Sequence, residues 1–189
     1  SEEAVKALID NAVAIYGRLD AAFNNAGNST DASPFQDQST EKFQEMIQTN
    51  ILGTFWCMKY ELKHFLEKGA GSIVNMASIG GLHGIPFTGS YVATRHAVVG
   101  MTRTAAVETA ARGVTVNAVA PGAILTNVMQ ASFDSGLWTE EKIASMFPVK
   151  KMGQPVDIAR GVSFLLNSPY VTGTILEIEG GFRSRTIVI

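Results

Sequence analysis

A chain of 189 residues, 46% hydrophobic and 17% charged, is sized and composed for a globular domain with a substantial core. Its formal net charge of −2 argues against a nucleic-acid surface, and no apolar run approaches the ~18 residues of a membrane helix. The single cysteine, Cys57, excludes an internal disulfide and fits a reducing cytoplasm, where the chain is expected to work.

Taken in chain order, Glu2 to Tyr16 carries Val5, Leu8, Ile9, Ala12 and Ile15 at helical spacing, with Gly17 as the expected C-cap. Leu19 to Asn24 reads as a short buried strand, and the polar stretch from Asn28 to Gln38 as a loop. Ser39 is placed to cap a long helix running to about Glu67, with Phe43, Met46, Ile47, Asn50 and Ile51 on one face and Gly69 as its end. Ser72 to Ala77 is the next strand, and Gly80 to Gly89 a loop. A helix is expected from about Ser90 to Arg112, stopped by Gly113, and a strand from Val114 to Val119 before Pro121-Gly122. Residues 123–147 read as one or two short helices in a mobile region. Pro155 opens a helix that Ser168-Pro169 stops, and Thr174 to Ile178 is the last strand. Strands alternating with longer helices imply βαβ units and a parallel sheet, hence an α/β fold in a single domain over 1–189.

Five motifs carry chemistry. Asn24-Asn25-Ala26-Gly27 follows the first strand, where Gly allows close backbone approach, although an ordinary turn explains the same residues. Asn50 and Gly53 sit inside the long helix, a polar helix contact being the plain alternative. Ser78 ends a strand at the edge where parallel sheets place their sites. Tyr91, thirteen residues after Ser78, stands one helical turn before Arg95. A phenol, with a pKa near ~10, is a poor base at neutral pH, and a fixed cation one turn away favours its ionised form. A solvated helix residue is the other reading of Arg95. Pro121-Gly122 and Thr126 follow the third strand as a Pro-Gly turn.

In their order and spacing these motifs resemble the short-chain dehydrogenase/reductases, over nearly the whole chain. The resemblance is to the C-terminal two-thirds or so of that family: a Rossmann-like, doubly wound parallel sheet truncated to about four strands, the family's fourth to seventh. It implies hydride transfer between NAD or NADP and a small carbonyl or alcohol substrate. Tyr91 would be the general acid/base, Ser78 would hold the substrate oxygen, Asn50 would support a proton relay and Arg95 would tune Tyr91. Asn25, Ala26, Gly27, Pro121, Gly122 and Thr126 would face the cofactor. Two departures stand out. The family's Lys four residues after the Tyr is Arg95, and no Gly-x-x-x-Gly-x-Gly turn opens a helix.

The second departure leaves open a truncated or degenerate relative that binds no dinucleotide and serves as an oligomerising or interaction protein. The helices near 40–67 and 90–112 match those the family uses for homodimers and homotetramers. Without the family's first strand, the strand at 19–24 becomes a sheet edge, which the tail Thr186 to Ile189 is expected to cover. No metal spacing joins His64, His83 and His96, which read as surface or packing residues, His83 in the loop after Ser78 being the candidate to face a substrate. Specificity is expected in residues 80–90 and 123–150, where Phe87, Met129, Phe133, Trp138 and Met146 suggest an apolar pocket, a core or interface origin being an equal alternative.

Overall fold

Four short strands pair side by side in the computed structural model, which describes residues 1–134, 136 and 138–184. They are β1 (Ala21–Asn24), β2 (Gly71–Met76), β3 (Val114–Pro121) and β4 (Ile175–Ile178), parallel and in the order β1-β2-β3-β4. A parallel sheet needs both faces covered, so its central strands are apolar on both sides. Ile73 and Val116 are fully buried with Met58, Phe65, Ala105 and Ala106 on one face. Val74 and Val119 are buried with Ile158, Val162 and Leu165 on the other. The helices supplying these faces are α3 (Thr54–Lys68) and α4 (Gly89–Thr109) on the first side, and α7 (Pro155–Leu166) on the second. The sheet is the expected Rossmann-like α/β architecture, and every strand is where the sequence puts one.

Boundaries differ for physical reasons. The first strand begins at Ala21 rather than Leu19, although Leu19 packs on the core and the Asp20 carbonyl already accepts the Ser72 amide at 3.2 Å. Among the described residues β1 pairs only with β2, so it is an edge, with Phe23 39% exposed. The tail expected to cover this edge lies outside the described residues. The third strand runs on to Pro121, and the last begins at Ile175 because the Thr174 amide donates to the Asn117 side chain.

The long helix from Ser39 onward keeps its direction but not its winding. It comprises α2 (Thr40–Met46), a π-helical stretch Ile47–Gly53, then α3, whose C-cap Gly69 takes the left-handed φ of 72°. Helix α4 ends in a 3-10 turn, Ala110–Arg112, before Gly113. Residues 123–147 hold two short helices, α5 (Asn127–Asp134) and α6 (Glu140–Ser145). The first helix, α1 (Glu2–Tyr16), packs on α3 and is capped by Gly17. No helix among the described residues is long and apolar enough to cross a membrane.

Candidate active site

The carboxyl ends of parallel strands face one edge of a sheet, and the loops that leave them meet there. Asn25-Ala26-Gly27 leaves β1, Ser78 follows β2, and Gly122 follows β3. Ser78 is 8% exposed and takes extended backbone, and its Oγ accepts the Gly80 amide at 3.1 Å. Tyr91, in the first turn of α4, stands beside it. The position a Cβ on Gly80 would occupy lies 3.5 Å from both Ser78 Oγ and Tyr91 Cε1. The hydroxyl and the phenol ring therefore border the same point beside Gly80.

Arg95 is 5% exposed, which rules out the solvated alternative. One turn along α4 the side chain folds inward, because Nη1 finds the Met76 carbonyl of β2 at 2.8 Å. The guanidinium lies 5.1 Å from the centre of the Tyr91 ring, at cation–π range. Its Nη2 fills the place a Cβ at Gly27 would need, so Gly27 is required by Arg95. Arg95 Nε is buried with no hydrogen-bond partner, as is Asn28 Oδ1 next to Gly27.

Asn50 is fully buried in the π-helical stretch and saturates its side chain. Its Nδ2 donates to the Asn28 carbonyl at 2.9 Å and to Thr94 Oγ1 at 3.0 Å, and its Oδ1 accepts the Asn28 amide at 2.9 Å. Thr94 Oγ1 in turn donates to the Tyr91 carbonyl at 2.8 Å. The extra residue of a π turn rotates Asn50 inward, a device found at functional positions. Asn50 thus ties the segment after Gly27 to the backbone of Tyr91.

Asn25, Ala26 and Gly27 are exposed, offering backbone to a ligand beside Arg95. Pro121, Gly122 and Thr126 stand farther along the same edge. The Gly122 amide is held by the Ile178 carbonyl at 3.0 Å, and Thr126 Oγ1 accepts the Met129 amide at 3.3 Å as the start of α5. His83 lies in the loop that leaves Ser78, with its Nε2 buried and unpartnered, as is His64 Nε2 on α3. His96 Nδ1 lies 2.9 Å from the Val92 carbonyl of its own helix.

One buried group escapes a motif search. Glu61 on α3 is 3% exposed and accepts from Asn24 Nδ2 at 3.0 Å. The same Nδ2 donates to Asn75 Oδ1 at 3.0 Å, and Asn75 Nδ2 to Thr102 Oγ1 at 2.9 Å. Burial pushes the Glu61 carboxyl up to about 7, with the Asn24 hydrogen bond acting the other way. Cys57, one turn away, is pushed up to about 11 by burial and by the Glu61 charge. The helical stripe Met58, Glu61, Phe65 carried this signal, since an acid inside an apolar stripe is a buried acid.

Comparison with known proteins agrees with this arrangement. The pattern of the family described as "Enoyl-(Acyl carrier protein) reductase" matches residues 1–183. The chain is 41% identical over 186 residues to 2,5-dichloro-2,5-cyclohexadiene-1,4-diol dehydrogenase of Sphingobium indicum, covering 97% of this chain and 74% of that protein. It is 37% identical over 185 residues to cyclohexanol dehydrogenase of an Acinetobacter species, covering 97% and 71%. The solved structure of ElxO with NADP bound superposes with a TM-score of 0.95 at 45% identity, covering 98% of this chain and 75% of that one. The sheet, its edge of loops and these relatives together place the chain in the short-chain dehydrogenase/reductase family of NAD(P)-dependent oxidoreductases.

Proposed function

We propose that this chain carries the catalytic end of an oxidoreductase that interconverts an alcohol and a carbonyl with NAD or NADP. The observation that supports it most is the meeting of Ser78 Oγ and Tyr91 at Gly80, with the buried Arg95 cation against the Tyr91 ring.

The residues present fit the nicotinamide end of such a cofactor. The exposed backbone of Asn25-Ala26-Gly27 lies beside two buried polar atoms without partners, Arg95 Nε and Asn28 Oδ1. Polar atoms left bare in a buried place suit a polar ligand such as a ribose or carboxamide. Pro121, Gly122 and Thr126 would border the same group. When bound, a nicotinamide accepts the hydride from the alcohol carbon, or returns it to the carbonyl carbon.

Each side chain then has one task. Ser78 Oγ donates to the substrate oxygen and fixes its position. Tyr91 takes the hydroxyl proton during oxidation and gives it back during reduction. Arg95 cannot itself shuttle a proton, since a guanidinium stays charged, but its charge favours negative charge on the phenol oxygen. Asn50 holds Tyr91 and the segment after Gly27 at a fixed separation through the Thr94 and Asn28 bonds.

The substrate class we infer is an alicyclic alcohol or ketone, in keeping with relatives named for a cyclohexadienediol and for cyclohexanol. The chain is further proposed to form a homodimer or homotetramer through α3 and α4, where Phe55 is 47% and Val107 85% exposed. The competing reading, an oligomerising protein that binds no dinucleotide, draws on the lack of a Gly-x-x-x-Gly-x-Gly turn in these residues. The two are separated by melting the protein with and without NADH and NADPH, and by assaying cyclohexanone reduction with each. The oxidoreductase reading expects one nucleotide to raise the melting midpoint and support turnover; no shift and no turnover with either would favour the oligomerising reading.

Arg95→Lys makes a finer test. Lysine keeps the charge but loses the bond to the Met76 carbonyl and the filling of the space at Gly27, a stability loss of about 1 kcal/mol. Turnover should stay within about tenfold of wild type, while Arg95→Met should lose about a hundredfold. Equal turnover in Met and Lys variants would remove the charge from the mechanism.

A further inference from the structure

The loop between Ser78 and Tyr91 contains a residue in the wrong conformation for its type. Ile85, Pro86, Phe87 and Thr88 form a tight turn, closed by the Thr88 amide on the Ile85 carbonyl at 3.3 Å and by Thr88 Oγ1 on the same oxygen at 3.0 Å. Proline suits the second position, and the third must take positive φ, which is why glycine or asparagine usually stands there. Here it is Phe87, with φ 67°. The backbone is strained for a residue with a Cβ, and the ring does not recover that cost by burial, being 57% exposed.

The other non-glycine residue described with positive φ, Lys150, is different in kind. Its side chain is polar and reaches the Ser145 carbonyl at 2.9 Å, so solvent exposure costs it nothing. Among the described residues Phe87 alone combines strained backbone with an exposed aromatic ring.

The turn stands at the proposed site. Ile85 Cδ1 lies 3.3 Å from the Cβ point of Gly80, the same point that Ser78 Oγ and Tyr91 Cε1 approach. Across the start of α4 a second exposed ring, Phe35 at 80%, packs on Gly89. Ile85, two residues before Phe87 in this turn, is the residue that touches the site, and strained backbone with an exposed ring in such a turn marks a residue kept for a ligand rather than for the fold.

We propose that Phe87 is the specificity-determining residue of this site, its ring forming an apolar wall against the hydrocarbon ring of the alcohol or ketone. This rests on the oxidoreductase reading above. The turn presents the ring, Ser78 and Tyr91 hold the oxygen, and the choice between a bulky ring and a small acyclic substrate falls to residue 87.

The test compares wild type with Phe87→Asn, which suits positive φ, and Phe87→Leu, which keeps an apolar side chain. Cyclohexanol and 2-propanol are the probes in steady-state assays with NAD and NADP, and cyclohexanone binding is followed by ligand-observed NMR. The asparagine variant should melt at or above the wild-type temperature. Its preference for cyclohexanol over 2-propanol in kcat/KM should fall by about tenfold or more, through KM rather than kcat, with partial recovery in the leucine variant. Its cyclohexanone signal should weaken in parallel.

An unchanged preference and unchanged cyclohexanone binding would overturn the proposal. So would a melting temperature several degrees below wild type, since the ring would then be a packing residue. If wild type turns over neither alcohol, the oxidoreductase reading fails, while the NMR comparison still decides whether residue 87 binds the ring.

Discussion

Replacing Tyr91 with Phe is expected to lower turnover by about 10²–10⁴-fold, the usual worth of a positioned acid/base group. The substitution removes one oxygen and little else. No group among the described residues hydrogen-bonds the Tyr91 hydroxyl, and the ring keeps its place against Arg95 and Ser78. Melting midpoint and nucleotide binding should therefore stay close to wild type. Asn50 and Thr94 continue to hold the helix through the backbone carbonyl of residue 91, which the substitution leaves alone. Steady-state kinetics and thermal melts on the pair check this. Loss of turnover with an equal loss of stability would make Tyr91 a structural residue.

The second large effect is on stability. Glu61 sits in the core at 3% exposure, and burial lifts its carboxyl from the ordinary 4.5 to about 7. Between those values the folded chain holds a proton that the unfolded chain has released. Stability is therefore highest at and below the unfolded value and is lost as pH rises through the folded one. Above pH ~7.5 the ionised acid costs about 3 kcal/mol relative to its protonated form. Asn24 offers a neutral donor, and Cys57 stays protonated across this range, so no charge facing Glu61 from its own helix offsets the cost.

Glu61→Gln keeps the acceptor for Asn24 and removes the charge. It should stabilise the protein at pH 8 by about 2 kcal/mol, the remainder going to a buried amide donor that lacks a full partner. At pH 5 it should be neutral or slightly destabilising. Denaturant melts at the two pH values give the answer, and a variant with the wild-type pH dependence would show that Glu61 is not the group responsible. Because Asn24 immediately precedes the Asn25–Gly27 segment, the same substitution also reports whether the core network sets nucleotide affinity.

The central strands were legible because a parallel sheet writes its interior as apolar runs, as in Ile73-Val74 and Ala118-Val119-Ala120. The first strand was expected at a sheet edge, although Ala21-Ala22-Phe23 is composed for a sheet centre, and among the described residues it does have one neighbour. The long helix was found, but its π-helical middle was not, since hydrophobic spacing hardly differs between an α and a π turn over seven residues.

Among the site residues, Ser78, Tyr91 and Asn50 could be picked by spacing. Arg95 could not be read as buried, because its burial depends on a carbonyl in β2 and on a glycine after β1, both distant in sequence. Phe87 shows the opposite problem. Pro86 announces the turn, yet turn rules ask for glycine or asparagine next, so the sequence alone argues against the conformation that the chain adopts. Such departures from local preference are where function is to be sought.

The most direct measurement is isotopic. The protein is incubated with cyclohexanone and NADH or NADPH carrying deuterium at both positions of the nicotinamide C4, and the cyclohexanol formed is examined by mass spectrometry. The account predicts one deuterium on the carbinol carbon with wild-type protein, and a rate at least a hundredfold lower with Tyr91→Phe. Unlabelled product, no product with either nucleotide, or equal labelling by the two proteins would contradict it.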